Sequence, residues 1–340
     1  MKFLKCKEIS NKIKAKVAII GAGPAGLTAA GVLLCDGIEV DVFDMLPEPG
    51  GLMIFGIPEF RIPKSGVREG VKELKEKGVN FYLNTRIEDS EKYDINFEEI
   101  VSKYDALLLA TGAWEPRKMN IEGEDLSGVY HAAPYIVSYY LVKFGYKDSS
   151  ILPRLGKSVA VIGGGLTAVD SALVALESGA KDVYLVYRRT RKEAPAGEKE
   201  ISSLENKGVK VVERKVPVKF VGENEKLKYM ITVDLTLGTP DHTGRPSPIP
   251  LPGTEKSFEV DSVIVAVGGK STPPFKKNKL GIEVSEDGRV LVDQKKRTNK
   301  VGIFAAGDVE SGPSLIGPAV KSGIDAALSI KEFLISRKWK

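Results

Sequence analysis

The feature that most constrains this chain is a glycine-rich turn that occurs twice, each time between an apolar run and a helix-like segment. The first copy, GAGPAG (21–26), follows VAII, and the second, GGGLTA (163–168), follows VAVI. Both have the spacing G-x-G-x-x-G/A, in which glycines open a helix directly after a buried parallel strand. The N–H groups at such a helix N-terminus bind a pyrophosphate. One copy alone is compatible with a tight turn that binds nothing, whereas two copies predict two nucleotide-binding halves.

A second repeated pair supports the same duplication. LLLATG (107–112) and VIVAVG (263–268) are both apolar runs that end in A-x-G. A chain of 340 residues is long enough for about two domains. The sequence therefore predicts an α/β fold with two Rossmann-like dinucleotide-binding domains, the second inserted in the first. We place the split domain at residues 1–122 and 270–340, and the inserted domain at residues 123–269.

Composition excludes several other chemistries. The two cysteines, Cys6 and Cys35, are too few for a four-cysteine iron–sulfur cluster and do not form a Cys-x-x-Cys pair. The two histidines, His131 and His242, have no metal-ligand spacing, so we expect structural or surface roles for both and predict no metal site. We expect Cys35, on the first predicted helix, to be a packing residue. The net charge of +5 argues against a nucleic-acid-binding protein.

The N-terminal segment MKFLKCKEISNKIKAK (1–16) is rich in lysine and lacks the apolar stretch of a signal peptide. We expect a solvated, partly ordered leader, and a docking patch for an acidic partner is the alternative. No apolar run approaches the ~18 residues that a membrane helix needs, so we expect no membrane association. The few cysteines and the missing export signal predict a cytoplasmic location.

The two halves differ at the end of their second predicted strand. In the first half, Asp44 is placed to accept hydrogen bonds from ribose hydroxyls and to repel a 2′-phosphate, which suits FAD or NAD. The second half has Arg188 and Arg189 at the corresponding point, where a guanidinium pair favours a 2′-phosphate and therefore NADP(H). The alternative for these arginines, which Arg191 and Lys192 follow, is a solvated charge run.

A third signature is AAGD (305–308), where an apolar strand ends in Gly307 and Asp308. An acid at this strand end would reach the ribityl hydroxyls of a flavin. The helix that begins near Ile316 would face the flavin edge that gains negative charge on reduction. The alternative for Asp308 is a simple turn or cap residue.

Together these motifs resemble those of two-dinucleotide-binding-domain flavoproteins, and more narrowly those of the glutamate synthase small subunit and its relatives. PGGLMIFGIPEFRIPK (49–64) resembles the flavin loop of that family, and VYRRTRKEAPAGEKEI (186–201) resembles its NADPH segment. The resemblance implies FAD in the split domain, NADPH in the inserted domain, and hydride transfer from nicotinamide C4 to flavin N5. It implies no catalytic side-chain acid or base, because the cofactor carries the chemistry.

The resemblance also implies which residues bind the cofactors. Gly51, Leu52 and Arg61 would lie at the flavin, and Ile87 would offer its backbone to the adenine. The full predicted set is Gly21, Gly23, Pro24, Ala25, Gly26, Asp44, Met45, Gly51, Leu52, Arg61, Ile87, Ala110, Thr111, Gly112, Gly307, Asp308, Ile316 and Ala319 for FAD, and Gly163, Gly164, Gly165, Leu166, Thr167, Arg188, Arg189 and Gly268 for NADP(H).

The chain departs from the family pattern in three respects. No cysteine-rich iron–sulfur domain precedes the first motif, Leu166 stands where relatives usually have Asn or Asp, and Gly323–Ile324 stands where relatives often have Gly-Arg. The leading hypothesis is an FAD-containing NADPH oxidoreductase that passes electrons to an iron–sulfur partner, either a ferredoxin or a separate large subunit. The sequence leaves homo-oligomerisation open. The alternatives are a thioredoxin-reductase-like ferredoxin/NADP reductase without a disulfide step, and a non-catalytic flavin-binding subunit.

Overall fold

A computed structural model of the chain describes residues 1–10, 12–89, 93–241 and 244–339. The chain forms two compact units, unit 1 (Met1–Glu115 and Gly269–Lys340) and unit 2 (Pro116–Gly268). One continuous unit is thus inserted in a split one, with divisions at 115/116 and 268/269, where the sequence predicted 122/123 and 269/270. His242 lies outside the described residues.

The first segment of unit 1 alternates strands and helices, because apolar runs are followed by glycine turns that start helices. Pro24 occupies the first position of its helix, where a missing N–H costs nothing. The elements are β1 (Lys16–Ile20), α1 (Pro24–Leu34), β2 (Glu39–Phe43), α2 (Leu52–Phe55), α3 (Lys64–Glu76), β3 (Asn80–Tyr82), β4 (Ile87–Glu88), β5 (Ile95–Asn96), α4 (Phe97–Lys103), β6 (Ala106–Leu109) and β7 (Glu115–Pro116).

Unit 2 repeats this alternation and adds an antiparallel sheet. The elements are β8 (Val129–His131), α5 (Ala132–Lys143), β9 (Ser158–Ile162), α6 (Leu166–Glu177), β10 (Asp182–Tyr187), α7 (Glu198–Glu205), β11 (Lys210–Glu213), β12 (Lys215–Glu223), β13 (Lys226–Pro240), β14 (Pro246–Pro250), β15 (Lys256–Glu259) and β16 (Ser262–Val265), with 3₁₀ turns at Ser149–Ile151 and Arg191–Glu193.

The chain then returns to unit 1 and completes it. The long final helix packs along the first one, and Gly323 allows the close approach, because a Cβ there would lie 2.3 Å from the carbonyl oxygen of Ala25. The elements of this segment are β17 (Gly269–Lys270), β18 (Ile303–Ala305), α8 (Asp308–Ser311) and α9 (Ile316–Ser336).

The main sheets of the two units share the order of four strands and differ at one edge strand, which comes last in unit 1 (β18) and first in unit 2 (β8). Unit 1 has the parallel order β18-β6-β1-β2-β3, and unit 2 has the parallel order β8-β16-β9-β10-β11. In each, the central strand pairs with the next strand on one side and with a much later strand on the other. The strand order therefore reverses between β1 and β6, and between β9 and β16. Open α/β sheets bind ligands outside the carboxyl ends of the strands at such switch points.

The inner strands β1, β6, β9 and β16 are buried on both faces of their sheets, which explains why they are continuous apolar runs rather than alternating ones. Val17, Ala18 and Ile19 of β1 are 0% exposed. In unit 1 these strands adjoin a core of large side chains from distant segments, including Phe97 and Phe275. Unit 2 has its own core, built from the parallel sheet and the antiparallel strands. Among the described residues, no helix has the length and apolar character required to span a membrane.

The N-terminal segment is packed, so the expectation of a solvated leader is wrong. Phe3 and Leu4 are buried, at 1% and 3% exposure. Two helical glycines admit their backbone. A Cβ at Gly31 of α1 would lie 2.2 Å from the carbonyl oxygen of Phe3, and a Cβ at Gly70 of α3 would lie 2.0 Å from that of Met1. The apolar residues that stand between the lysines are the ones that pack, and the lysine-rich composition of the segment did not indicate this.

A disulfide fixes the same segment. Cys6 and Cys35 are bonded, and Ser10 N–H donates to the carbonyl oxygen of Cys35 at 3.0 Å. The expectation that Cys35 serves only as a packing residue is therefore corrected, since it joins the end of α1 to the N-terminal segment. Sequence spacing offered no evidence for this pair, because its partners meet only once α1 and the segment are packed.

Candidate functional site

The glycine turn after β1 is closed on two sides and open on the third. A Cβ at Gly21 would lie 2.2 Å from the carbonyl oxygen of Ala110, and one at Gly26 would lie 2.0 Å from that of Gly21. A Cβ at Gly23 would meet no heavy atom of the described residues within 4 Å beyond its chain neighbours. Gly23 is also the N-cap of α1. The turn thus leaves open space at a helix N-terminus, as a pyrophosphate requires.

The turn after β9 has the same design. A Cβ at Gly163 would lie 2.4 Å from the carbonyl oxygen of Ala266, whereas one at Gly165, the N-cap of α6, would meet nothing within 4 Å in the described part of the chain. Between them, Gly164 packs against the ring of Tyr187, where a Cβ would come within 2.3 Å. The residues present therefore fit a dinucleotide at each of the two turns.

The A-T-G loop after β6 lies against the first turn through Ala110 and is braced by two residues that the sequence motifs did not indicate. Thr111 Oγ1 donates to the carbonyl oxygen of Thr272 at 2.6 Å. Trp114 donates from Nε1 to the carbonyl oxygen of Thr111 at 2.6 Å, and its backbone N–H donates to Thr272 Oγ1 at 2.7 Å. Gly112 adopts φ 82°, which favours glycine. The available signal in the sequence was Trp114, one of only two tryptophans in the chain, which lies two residues after the loop.

Asp44 follows β2 and binds the backbone of the first turn. Its Oδ2 accepts from Ala22 N–H at 2.6 Å and its Oδ1 from Leu46 N–H at 2.8 Å. Burial raises the pKa of Asp44 to about 6, although the two N–H bonds favour its charged form. Each carboxylate oxygen has two lone pairs, so both oxygens retain acceptor capacity for ribose hydroxyls.

The loop that resembles a flavin loop lies against the same turn. Gly50 N–H donates to the carbonyl oxygen of Ala22 at 2.8 Å, and a Cβ at Gly51 would lie 3.1 Å from Gly23 Cα. The buried side chain of Lys64 bonds the backbone of this loop from the protein interior. It is 1% exposed, and its Nζ donates to the carbonyl oxygens of Met53, at 2.6 Å, and Ile57. The sequence did not reveal this role, because a lysine ordinarily indicates surface.

The AAGD segment also meets the first turn. A Cβ at Gly307 would lie 2.9 Å from the Cβ of Ala25 and 3.9 Å from that of Ala319. Asp308 is half-buried, its Oδ1 accepts from Ser314 Oγ at 2.9 Å, and burial raises its pKa. Unit 1 therefore gathers four predicted segments around one helix N-terminus, those of the first turn, the flavin-like loop, the A-T-G loop and AAGD.

Other predicted residues of unit 1 lie at separate places in the fold. Ile87 is buried in the core, which leaves only its backbone for a ligand. Met45 is 42% exposed beside Asp44, and the Arg61 guanidinium lies 5.1 Å from the ring centre of Phe60. Ile316 begins α9.

In unit 2, the two arginines after β10 differ. Arg188 is exposed, whereas Arg189 is 1% exposed and donates to Asp241 Oδ2 at 2.7 Å and to the carbonyl oxygen of Pro246 at 2.6 Å. Leu166 and Thr167 begin α6 at the open side of the turn.

The remaining predicted residue of unit 2 lies after β16. The carbonyl oxygen of Gly268 accepts from Arg117 N–H at 3.0 Å. His131 is the N-cap of α5, and its buried Nδ1 has no partner within the described ranges. Across those ranges, no group of three or more His, Cys, Asp and Glu residues is arranged to hold a metal ion.

Comparison with known proteins agrees with this geometry. The profile of the pyridine nucleotide-disulphide oxidoreductase family matches residues 15–323. The glutamate synthase [NADPH] small chain of Halomonas elongata is 36% identical over 325 residues, which cover 94% of this chain and 68% of that protein. The beta subunit of the NADP(+)-dependent formate dehydrogenase of Moorella thermoacetica is 39% identical over 323 residues, 94% of this chain but only 44% of that subunit.

Solved structures show the same fold. The structure of Mycobacterium tuberculosis FprA in complex with NADPH has a TM-score of 0.79 at 21% identity, covering 94% of this chain and 84% of that one. The thioredoxin reductase of T. acidophilum has a TM-score of 0.66 at 20% identity, covering 95% and 99%. These structures confirm the predicted α/β class. The family profile and the curated relatives confirm the family resemblance and the prediction of an oxidoreductase that uses FAD and a pyridine nucleotide. The chain belongs to the pyridine nucleotide-disulphide oxidoreductase family, among the NADPH-dependent flavin oxidoreductases of the glutamate synthase small-chain type.

Proposed function

We propose that unit 1 binds FAD, that unit 2 binds NADP(H), and that the protein moves a hydride from NADPH to the flavin for delivery to a partner. One observation carries this proposal. Two sheets that share the order of four strands present open glycine turns, but a carboxylate, Asp44, follows β2 of one, and arginines follow β10 of the other. An acid in this position suits a free ribose, and a guanidinium suits a 2′-phosphate.

The flavin, when bound, supplies the redox chemistry, and the chain's own residues hold and orient it. Gly23 leaves space at the α1 N-terminus, and Asp44 offers its acceptors to the ribose. Gly51 and Leu52 begin the short helix α2 beside this turn. Asp308, at the end of β18, is assigned to the ribityl hydroxyls. No side chain is assigned as a catalytic acid or base.

The test is an anaerobic titration of the purified, FAD-loaded protein with NADPH, followed by the visible absorption of the flavin. The proposal expects bleaching by NADPH at lower concentrations than by NADH. The matched control is Gly165→Ala, in which the added Cβ occupies the space proposed for the NADPH pyrophosphate and leaves the turn of unit 1 unaltered. A flavin that NADPH leaves unbleached in the wild-type protein would contradict the proposal.

We further propose that the electron acceptor is an iron–sulfur subunit or ferredoxin. The names of the relatives support a partner, since they include the beta subunit of a formate dehydrogenase and that of an NADPH-Fe(3+) oxidoreductase from Geobacter sulfurreducens. The test is affinity capture from the native cell extract with the FAD-loaded protein as bait. A captured protein without iron or labile sulfide would contradict this acceptor class.

The sequence leaves two other functions open. A non-catalytic flavin-binding subunit is separated from the proposed enzyme by the titration above, because it would hold flavin without responding to NADPH. For a thioredoxin-reductase-like enzyme, the two cysteines of the chain are already joined to each other in unit 1, which favours the route without a disulfide step. Measuring the rates of NADPH oxidation with ferredoxin and with a disulfide as electron acceptors separates the route without a disulfide step from the route with one.

The cytoplasmic location predicted from the sequence stays a proposal. The Cys6–Cys35 disulfide bears on it, because disulfides are rare in the cytosol of mesophiles and frequent in intracellular proteins of hyperthermophiles. Trapping thiols in intact cells before lysis, together with cell fractionation, tests the location and the oxidation state of the pair in one experiment.

A further inference from the structure

The turn after β18 is bonded by three side chains that lie outside the predicted set of site residues. Gly307 N–H donates to Ser322 Oγ of α9 at 3.1 Å. Ser322 Oγ in turn donates to Glu310 Oε1 at 2.8 Å, and Lys296 Nζ donates to the same oxygen at 2.6 Å. Ser322 is buried, and the side chains of Glu310 and Lys296 are 10% and 20% exposed. A largely buried ion pair is therefore connected through one hydroxyl to the backbone of Gly307.

Glu310 determines the direction in which this hydroxyl points. A serine within a helix can donate to the carbonyl oxygen four residues earlier, as Ser171 of α6 does to Thr167 at 2.7 Å. Ser322 donates instead to Glu310, which belongs to a different helix. A hydroxyl has one donor and two acceptor lone pairs, so the direction of its O–H fixes where its lone pairs lie. The bond to Glu310 thus leaves a lone pair for Gly307 N–H.

The same residues also bond the backbone on both sides of Asp308. Glu310 N–H donates to the carbonyl oxygen of Gly307 at 3.0 Å, and the carbonyl oxygen of Lys296 accepts from Ala305 N–H at 3.1 Å. Gly307 adopts φ 75°, and Lys296 adopts φ 60°, a left-handed conformation that is uncommon for a residue with a Cβ. The backbone that carries Asp308 is therefore fixed from β18 to α8 by bonds that involve Lys296, Glu310 and Ser322.

A stabilising role explains this ion pair poorly. Removing two charges from water costs about as much as their attraction returns, so a buried pair is weak evidence for stability. The pair differs in this setting from that of Lys295 with Glu332, its neighbour, in which both side chains are about half exposed. What distinguishes Glu310 is its hydrogen bond to Ser322, which leads to the backbone next to Asp308.

We propose, on the basis of the FAD site proposed above, that Glu310 is a positioning residue for FAD. It acts through Ser322, which fixes the Gly307–Asp308 backbone and with it the carboxylate assigned to the ribityl hydroxyls, while Lys296 holds Glu310 in place. A binding group that is already ordered loses less conformational freedom when its ligand arrives, so the affinity for FAD rises. The affinity therefore depends on a residue that bonds the backbone of the site rather than the cofactor.

The test measures the affinity of the full-length apoprotein for FAD by the quenching of flavin fluorescence. Ser322→Ala and Glu310→Ala should each weaken FAD binding by about fivefold to tenfold, the size of one net hydrogen bond. The double variant should lose no more than the larger single effect, because both changes break the same chain of bonds. Glu310→Gln should bind FAD within about twofold of the wild type, since its amide oxygen still accepts from Ser322.

Hydrogen exchange of the apoprotein tests the chain of bonds without any cofactor. The amide of Gly307 should exchange faster in Ser322→Ala and in Glu310→Ala, because both variants leave it without a fixed acceptor. The matched control is Glu332→Ala, since Glu332 lies on the same helix and pairs with Lys295, the chain neighbour of Lys296, at an exposed site. It should change neither the exchange of Gly307 nor the affinity for FAD. If Glu310→Ala does not fold, Ser322→Ala alone decides the test.

A purely structural role for Glu310 would lower the melting temperature of the apoprotein but leave the FAD affinity of the folded protein unchanged. That result would overturn the inference, and so would losses that multiply in the double variant. Unchanged exchange of Gly307 in Ser322→Ala, or a Glu310→Gln variant that binds FAD as weakly as Glu310→Ala, would also overturn it. All these results leave the proposed FAD site standing, whereas a wild-type apoprotein that binds no FAD would overturn the proposed function itself.

Discussion

Units 1 and 2 are built on one plan and differ in the residues after β2 and β10, the strands that follow the helices of their glycine turns. In both, the third position of the glycine motif lies against the first, but unit 1 needs Gly26 there while unit 2 accommodates Ala168. After β2, Asp44 bonds the turn itself, and after β10, Arg188 stays exposed while Arg189 is bonded to a distant turn. The sheet and the turn therefore supply a general dinucleotide site. Under the function proposed above, the choice of coenzyme depends on a few side chains at one strand end and on the contacts that hold them.

The largest expected difference between the units comes from the disulfide, which only unit 1 contains. Replacing both cysteines (Cys6→Ala with Cys35→Ala) should lower the free energy of unfolding by about 3.5 kcal/mol, because the bond closes a loop of about 30 residues in the unfolded chain. Urea unfolding of the apoprotein measures the loss, and hydrogen exchange assigns it to unit 1. Reductant should destabilise the wild type and leave the double variant unchanged; a wild type insensitive to reductant contradicts the prediction.

The next effect tests the close contact inside the first turn. Gly26→Ala should destabilise unit 1 by about 3 kcal/mol, because its Cβ would lie 2.0 Å from a backbone oxygen that cannot move freely. The reverse change in unit 2, Ala168→Gly, should cost only about 1 kcal/mol, the helix-propensity difference between the two residues. Thermal and urea unfolding of the two variants measure both values. Equal costs would mean that the turns are packed alike.

Asp44 gives unit 1 a pH dependence that the arginines of unit 2 do not share. Its pKa is raised from 3.8 to about 6 in the folded apoprotein, so the folded state binds more protons than the unfolded state between these values. The stabilising contribution is present below about pH 4 and disappears as the pH rises through about 6, a change of about 3 kcal/mol. The slope of unfolding free energy against pH, compared with Asp44→Asn, measures it. Identical slopes for both proteins would contradict the prediction.

The smallest expected effect is on ligand affinity, and it tests whether each of the two turns binds a different coenzyme. Gly23→Ala should weaken FAD binding by about tenfold to a hundredfold and leave 2′,5′-ADP binding intact, and Gly165→Ala should do the reverse, because each Cβ enters open space at one turn only. Both residues have φ values that alanine adopts, −78° and −90°, so the folds should persist. Flavin fluorescence and calorimetry measure the two affinities. Loss of both ligands in either variant would show that the sites are not independent.

Much of the fold was predictable from local patterns. Apolar runs of four or five residues next to glycine turns identified β1, β6, β9, β16 and β18, since strand burial and helix initiation depend on a few neighbouring residues. The same patterns identified the first turn, the A-T-G loop and AAGD, which the structure brings together in unit 1. The buried role of Lys64 was not predictable, because its acceptors are carbonyl oxygens of a loop whose course is set by packing.

The sequence by itself determined two duplicated α/β halves, the places of their glycine turns, and the opposite charges that come after their second strands. Only the tertiary structure decided that Cys6 meets Cys35, that the lysine-rich N-terminal segment is packed, and that Arg189 is buried on Asp241, 52 residues away along the chain. The physical reason is the distance along the chain over which each kind of interaction acts. Hydrophobic periodicity and glycine spacing act between near neighbours, whereas the partner of a buried charge or a thiol is chosen by which distant segments pack together.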